Sequence, residues 1–400
     1  MRLFAVPLLA LFTLFFTMPD LQAGAAPGGR LVVPGNLKGK AIPIAIEGYT
    51  GEAAAVLKFD LEVMGCVKVP RAEAAFVLSG SNNGAVKGAL QDAAGNFAFN
   101  RNFQGGSIRQ QAHALSNDVI MALTGVRGIA DTRILYKMKT GRRSDEVYVS
   151  DYDGHKPVAI TGDNTLVASP RWAPGNEIAY YTSWMKIGGV ENTTVVKHDL
   201  KNGKRSIFSR YRGLNTGGAM SPQGSVGLVL SRGNQTDLYM AAPGWAFETD
   251  FKQGRHPIRI TNDKIEESGL AWSPDGNWLC FSRGLQGLYK VPAQGGNPVR
   301  VRTAGAFRPS EPDWSPDGQK IAFTSQGGRY FTIFIVSAAG GQVEKICDGE
   351  DPSWAANSRN IIFTRRGVNK RQLAIVDVVT KRVKLLPAVL GSASQPDWQN

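Results

Sequence analysis

Three cysteines and four histidines in 400 residues are too few and too scattered for a disulfide framework or a clustered metal site. Cys66, Cys280 and Cys347 form no CxxC pair, and Cys280 sits inside the apolar run WLCFS, where it reads as a small core residue. His113, His155, His198 and His256 occur singly, without the His-x-x-x-His spacing that places two ligands on one helix face. After residue 18 no stretch approaches the roughly 20 apolar residues that span a bilayer. The nucleophile elbow G-x-S-x-G is absent, which removes the serine-hydrolase reading, and GNLKGKA at Gly35–Ala41 has the wrong glycine spacing for a P-loop.

The amino-terminal residues address compartment. Arg2 precedes the apolar run Leu3–Met18, and Ala23-Gly24-Ala25 supplies the small residues of a cleavage site, so residues 1–25 read as a signal peptide and the mature chain as an exported, periplasmic one. No cysteine follows the cleavage site to carry a lipid anchor, and association with the membrane is expected to be peripheral at most. The formal charge of +13 is spread along the chain rather than clustered. Its densest run, TRRGVNKRQ at Thr364–Gln372, reads as a turn between strands, so nucleic acid is not an expected partner.

What the chain has in abundance is a repeat. EPDWSPDGQKIAFTS at Glu311–Ser325 shares its layout with segments around Trp172, Trp272 and Trp354, with a weaker copy at Met220 and a terminal QPDW ending at Trp398. Successive anchors lie 48, 52, 42, 40 and 44 residues apart, a period that belongs to propellers or solenoids. Within one period a Pro-Asp-Gly turn separates short runs rich in β-branched and aromatic residues, which is hairpin grammar, and no repeat shows helical spacing. The unit is a four-stranded antiparallel blade, and six anchors predict six blades. Nothing follows Trp398 to complete a blade. Thr132–Met138, Asp145–Gly154 and Lys156–Thr161 supply three strands that lack an innermost one, so Gln395–Trp398 is expected to close the ring.

Residues 26–128 have a different grammar. A buried strand at Ala41–Ile46, a helix over Glu52–Met64, three strands and a second amphipathic helix ending at Gly125 describe a small α/β domain. The predicted organisation is thus a mainly β chain, with a six-bladed β-propeller over 129–400 preceded by that α/β domain.

The junction SNDVIMALTGVRGIADTRILYKMK at Ser116–Lys139, the WSPDG repeats and the VSDYDG turn at Val149–Gly154 resemble the TolB family, the periplasmic propellers of the Tol-Pal envelope system. That resemblance implies an adaptor rather than an enzyme. It would bind a Pal-like lipoprotein at the propeller mouth, contact a TolA-like protein through its mature amino terminus, and support outer-membrane integrity and cell division as a monomer. The family's contact loops map here onto Leu214, Asn215 and Thr216, Glu267 and Ser268, and Ser310 and Glu311. Two departures stand out: Leu214 replaces a histidine common in the family, and Ser268-Gly269-Leu270 replaces a Ser/Thr-Glu-Pro lead-in. No cofactor is expected; the sequence leaves a calcium ion in the propeller channel open without a motif that supports it. The alternative is an exported propeller enzyme or glycan-binding protein using Glu311 and Asp313 in the channel, but acids recurring at Glu350, Asp351 and Asp397 read as repeat chemistry rather than as a catalytic pair.

Overall fold

A computed structural model describes residues 33, 35–37, 39–232, 235–386 and 388–400. The signal-peptide reading of residues 1–25 lies outside them. Among the described residues no helix is long and apolar enough to cross a membrane.

The amino-terminal unit is a five-stranded sheet with two helices. Ile42–Glu47 pairs in parallel with Cys66–Lys68 and with Phe76–Ser81, and Val86–Asp92 and Phe97–Phe103 extend the sheet antiparallel. Helix α1 (Gly51–Val63) buries Ala53, Leu57 and Leu61. Helix α2 (Ile108–Thr124) begins in a capping box made by Ser107 and Gln110 and stops at Gly125, whose φ of 73° only a residue without a Cβ adopts freely.

Six four-stranded sheets follow around an axis. Blade 1 consists of Ser392–Trp398, Arg133–Lys139, Asp145–Asp151 and Val158–Ala159, so the carboxy-terminal strand is innermost in the first blade. The innermost strands of blades 2 to 6 are Val167–Trp172, Asn215–Met220, Glu267–Trp272, Pro309–Trp314 and Glu350–Trp354. Aromatic and aliphatic side chains of the second strands, such as Phe281, Phe323 and Phe363, are wholly buried between blades.

One expectation about the repeats is corrected. Blade 3 carries a short helix, Phe247–Lys252, between its third and fourth strands. Phe247 stacks on Phe251 and meets Tyr211 edge-on, sealing the rim between blades 2 and 3. The helix is too short for a periodicity signal; only the longest anchor interval, 52 residues, betrays the insertion.

The α/β unit docks where the innermost strands end. The α1 side chains of Asp60 and Glu62 accept from the Tyr152 hydroxyl and Lys384 Nζ, each at 2.5 Å, the Val63 carbonyl accepts from Asn360 Nδ2 at 2.9 Å, and Arg109 of α2 pairs with Asp153. A single apolar cluster runs from Leu57 and Ile129 through Tyr152 to Trp398. Among the described residues, the bonds from this domain to the blades lie at that end and none reaches the face where the innermost strands begin.

Candidate functional site: the open mouth of the propeller

Because the innermost strands run in the same sense, their first residues and the hairpins between second and third strands converge on the open face. Those hairpins display Val190, Leu285, Tyr330 and Val368, all well exposed, and Phe307 joins them from a crossover. Apolar tips on one mouth are the composition of a protein contact rather than of a solvated rim.

Just below the tips the strands share a kink. The residue three before each anchor takes positive φ: Ser169 (50°), Gly217 (98°), Gly269 (51°), Glu311 (52°), Asp351 (54°) and Gln395 (51°). Each marks a bulge where the ladder shifts register, as between Ser310 and Asp313 or Glu350 and Ser353. In blades 6, 1 and 2 the kink turns the backbone amide toward the preceding blade, where a side-chain relay satisfies it. The Asp351 amide donates to Glu311 Oε2 (3.0 Å) and Thr324 Oγ1 (3.1 Å). The Gln395 amide donates to Asp351 Oδ2 (3.2 Å) and Thr364 Oγ1 (3.0 Å), and the Ser169 amide to Gln395 Oε1 (3.0 Å). Two residues on, Asp313 and Asp397 accept from the anchor amides of Trp354 and Trp172, each at 2.7 Å.

Arg171 occupies the channel below this relay. Its guanidinium lies 2.8 Å from Asp397 and 3.9 Å from Asp313. Burial opposes its charge, but Asp397 and then Asp313 more than offset it, and its pKa rises. Burial pushes Asp313 up to about 7 against the pull of Arg171, and raises Asp351, which Glu311 and Glu350 crowd further. Among the described residues no group of three His, Cys, Asp or Glu side chains is arranged to hold a metal ion. In the channel the positive charge facing Asp397 and Asp313 is the chain's own guanidinium.

The residues that sequence placed at the mouth separate by burial. Leu214, Thr216, Ser310 and Glu311 are partly accessible and Ser268 is exposed. Asn215 is wholly buried: its Oδ1 accepts from Ser209 Oγ and the Tyr211 amide, and its Nδ2 donates to the carbonyls of Tyr211 and Gly213. It braces the crossover that presents Leu214. Asn215→Ala is expected to cost about 2–3 kcal/mol, since it orphans several buried polar groups; a thermal melt unchanged from wild type would refute that role.

Glu267 is buried as well, accepting from the Leu238 amide at 3.1 Å and from the Thr261 hydroxyl. Burial lifts its pKa to about 7, opposed by the Thr261 hydrogen bond and assisted by Asp263. A carboxyl raised in the folded state favours folding while protonated, so its contribution is present below about pH 4.5 and is lost as pH climbs toward 7. Glu267→Gln, which mimics the protonated acid, should therefore stabilise the protein on the order of 2 kcal/mol at pH 8 and leave it unchanged at pH 4. Equal melting shifts at both pH values would show that titration is not the cause.

Thr324, Thr364 and the channel residue Arg171 escaped the sequence reading, while Asp351 was read there as repeat chemistry and Gln395 only as part of the closing strand. Their signal was present in the alignment of the repeats on their anchors, where Ser169, Glu311, Asp351 and Gln395 fall in one column.

Residues 120–400 match the family model described as the TolB beta propeller domain. The chain belongs to the TolB propeller family. It is 36% identical over 115 residues to the Tol-Pal system protein TolB of Actinobacillus pleuropneumoniae, a stretch covering 28% of this chain and 26% of that protein. It is 35% identical over 116 residues to the TolB of Anaplasma marginale, covering 29% of this chain and 25% of that one. The matched stretch thus spans about a quarter of these relatives' length. The crystal structure of TolB from Acinetobacter baumannii superposes with a TM-score of 0.78 at 22% identity, covering 95% of this chain and 99% of that one, a likeness of fold. The architecture read from the repeats, a six-bladed propeller behind a small α/β domain, is the TolB architecture.

Proposed function

We propose that this TolB-family chain is a periplasmic adaptor of a Tol-Pal-like system, and that the open mouth binds a peptidoglycan-associated lipoprotein. The observation that carries the reading is the division of the two faces. One end of the propeller is occupied by the α/β domain through α1 and α2, whereas the other presents exposed apolar tips together with Leu214, Thr216, Ser268, Ser310 and Glu311. The channel acids support binding rather than catalysis, because Glu311, Asp313 and Asp397 already accept backbone amides or pair with Arg171. In this reading the amino-terminal residues before the α/β domain contact a TolA-like protein, and the complex supports outer-membrane integrity and division.

The test is photocrosslinking from Leu285 and Tyr330 in the periplasm, with mass spectrometry of the adducts. Recovery of a Pal-like lipoprotein from these positions, and none from Val158 on an outer edge strand, is expected. Failure to recover one from any mouth position would overturn the reading.

A further inference from the structure

The relay around the mouth lacks its acid in blades 2, 3 and 4, where Ser169, Gly217 and Gly269 stand at the kink; in blade 2 the Thr182 hydroxyl bonds Thr216 instead, whereas in blade 4 the matching hydroxyl is left unpaired. In blades 5 and 6 the residue at the kink is an acid, Glu311 or Asp351, and a threonine on the second strand, Thr324 or Thr364, donates its hydroxyl to that acid at 2.6 or 2.9 Å. Acid and threonine together receive the kinked amide of the following blade. Blade 4 has the same backbone but no acid, because Gly269 stands at the kink with φ 51°. The threonine position is held by Ser282, which faces Ser268 across the ladder as Thr324 faces Ser310. The Ser282 hydroxyl is buried and has no hydrogen-bond partner, in a residue only 2% exposed. The following amide is that of Glu311, which the strand register skips and for which no side-chain acceptor stands among the described residues. A Cβ built on Gly269 would lie 3.5 Å from the Glu311 nitrogen and Cα and from Pro312 Cδ, in ordinary contact, so a side chain there meets no clash at its first atom.

We infer that this gap is a carboxylate slot, filled by an aspartate or glutamate side chain of the protein that docks on the mouth. The two donors that hold an internal carboxylate one blade further on, a serine or threonine hydroxyl and a kinked amide, are here left without one, buried beneath the exposed Ser268 and the partly accessible Gly269 at the mouth. A carboxylate accepts from both, and donation from neutral groups to a charged acceptor is the stronger class of hydrogen bond. The slot also removes the cost of leaving a buried hydroxyl unmatched. The inference rests on the mouth being the binding face, but not on which protein binds there.

The experiment follows the Glu311 amide resonance in the full mature protein during titration with end-blocked tripeptides. A peptide with a central glutamate should move it saturably in the millimolar range, while the Gln395 amide, whose acceptors are in place, stays still. The same peptide with glutamine should do nothing. Ser282→Ala should weaken the effect about tenfold, the loss expected for one hydrogen bond to a charged group. Gly269→Glu should abolish it by filling the slot from within; its strain is tolerable because Glu311 and Asp351 hold the same φ. A still Glu311 amide in the wild type, or an undiminished response in Gly269→Glu, overturns the slot. A response only to a peptide bearing a free terminal carboxylate assigns the slot to a chain end and overturns the side-chain source. If a lipoprotein is captured equally by wild type and Gly269→Glu, the slot fails and the adaptor reading stands; if no lipoprotein is captured but the amide titrates, the reverse holds.

Discussion

Removal of Ser394–Asn400 is expected to unfold the propeller cooperatively below the wild-type melting temperature and open it to trypsin. The segment does several jobs at once. Trp398 is 1% exposed, donates from Nε1 to Thr132 Oγ1 at 2.8 Å, and stacks on Tyr152 at 6.1 Å. Its amide donates to Ser353 Oγ of blade 6 at 3.0 Å, while Asp397 receives the Trp172 amide of blade 2 and holds Arg171. Gln399 then bonds the backbone of Arg133 in both directions. The strand therefore ties blade 1 to both neighbours and fills part of the core shared with the α/β domain. Replacing one buried tryptophan with alanine costs about 3–5 kcal/mol, against a total stability of about 5–15 kcal/mol for a typical protein. The truncation adds an orphaned Arg171 and two newly exposed strand edges to that loss. Trp398→Ala should reproduce roughly half of the effect. Melting followed by circular dichroism, with limited trypsin digestion, measures both; a truncated chain with the wild-type melt and digestion pattern would refute closure by this strand.

The parts legible in the sequence are those whose physical demand repeats. A tryptophan packs at the end of each innermost strand except at Met220, and Pro-Asp-Gly recurs because the following hairpin needs a preset φ, an amide acceptor and a residue free of Cβ. Six anchors on one period therefore predict six blades. The kinks stayed hidden for the complementary reason. Positive φ is ordinarily announced by glycine, yet Ser169, Asp351 and Gln395 adopt it with their amides held by the relay, and Glu311 adopts it while its side chain receives the next blade's amide. Asn215 and Glu267 likewise read as loop polar residues, and only the fold shows that they face inward and are consumed by backbone groups. Gly269 was visible as a departure from the family lead-in, but its meaning depends on Ser282 and Glu311, which approach it only through strand pairing and blade packing.

The second large effect is expected where the two domains meet. Asp60 of α1 is wholly buried, accepts from the Tyr152 hydroxyl at 2.5 Å, and stands 2.8 Å from Nδ1 of His113 on α2. One carboxylate thus joins both helices to a turn of blade 1. Burial, with Asp60 reinforcing it, raises the Tyr152 pKa well above the usual phenol range, so this tyrosine stays a donor at any working pH. Asp60→Ala strips both partners at once and leaves a hydroxyl and an imidazole nitrogen in the core with nothing to bind, a loss of about 3–5 kcal/mol. Tyr152→Phe removes only one donor and should cost about 1 kcal/mol. The double variant should lose less than the sum by about 1 kcal/mol or more, because the phenyl ring no longer seeks the missing carboxylate. If Asp60 is what makes the α/β domain and propeller melt together, calorimetry of Asp60→Ala should resolve two transitions where the wild type shows one. A single transition at the wild-type temperature would place the coupling elsewhere, in the apolar cluster from Leu57 to Trp398.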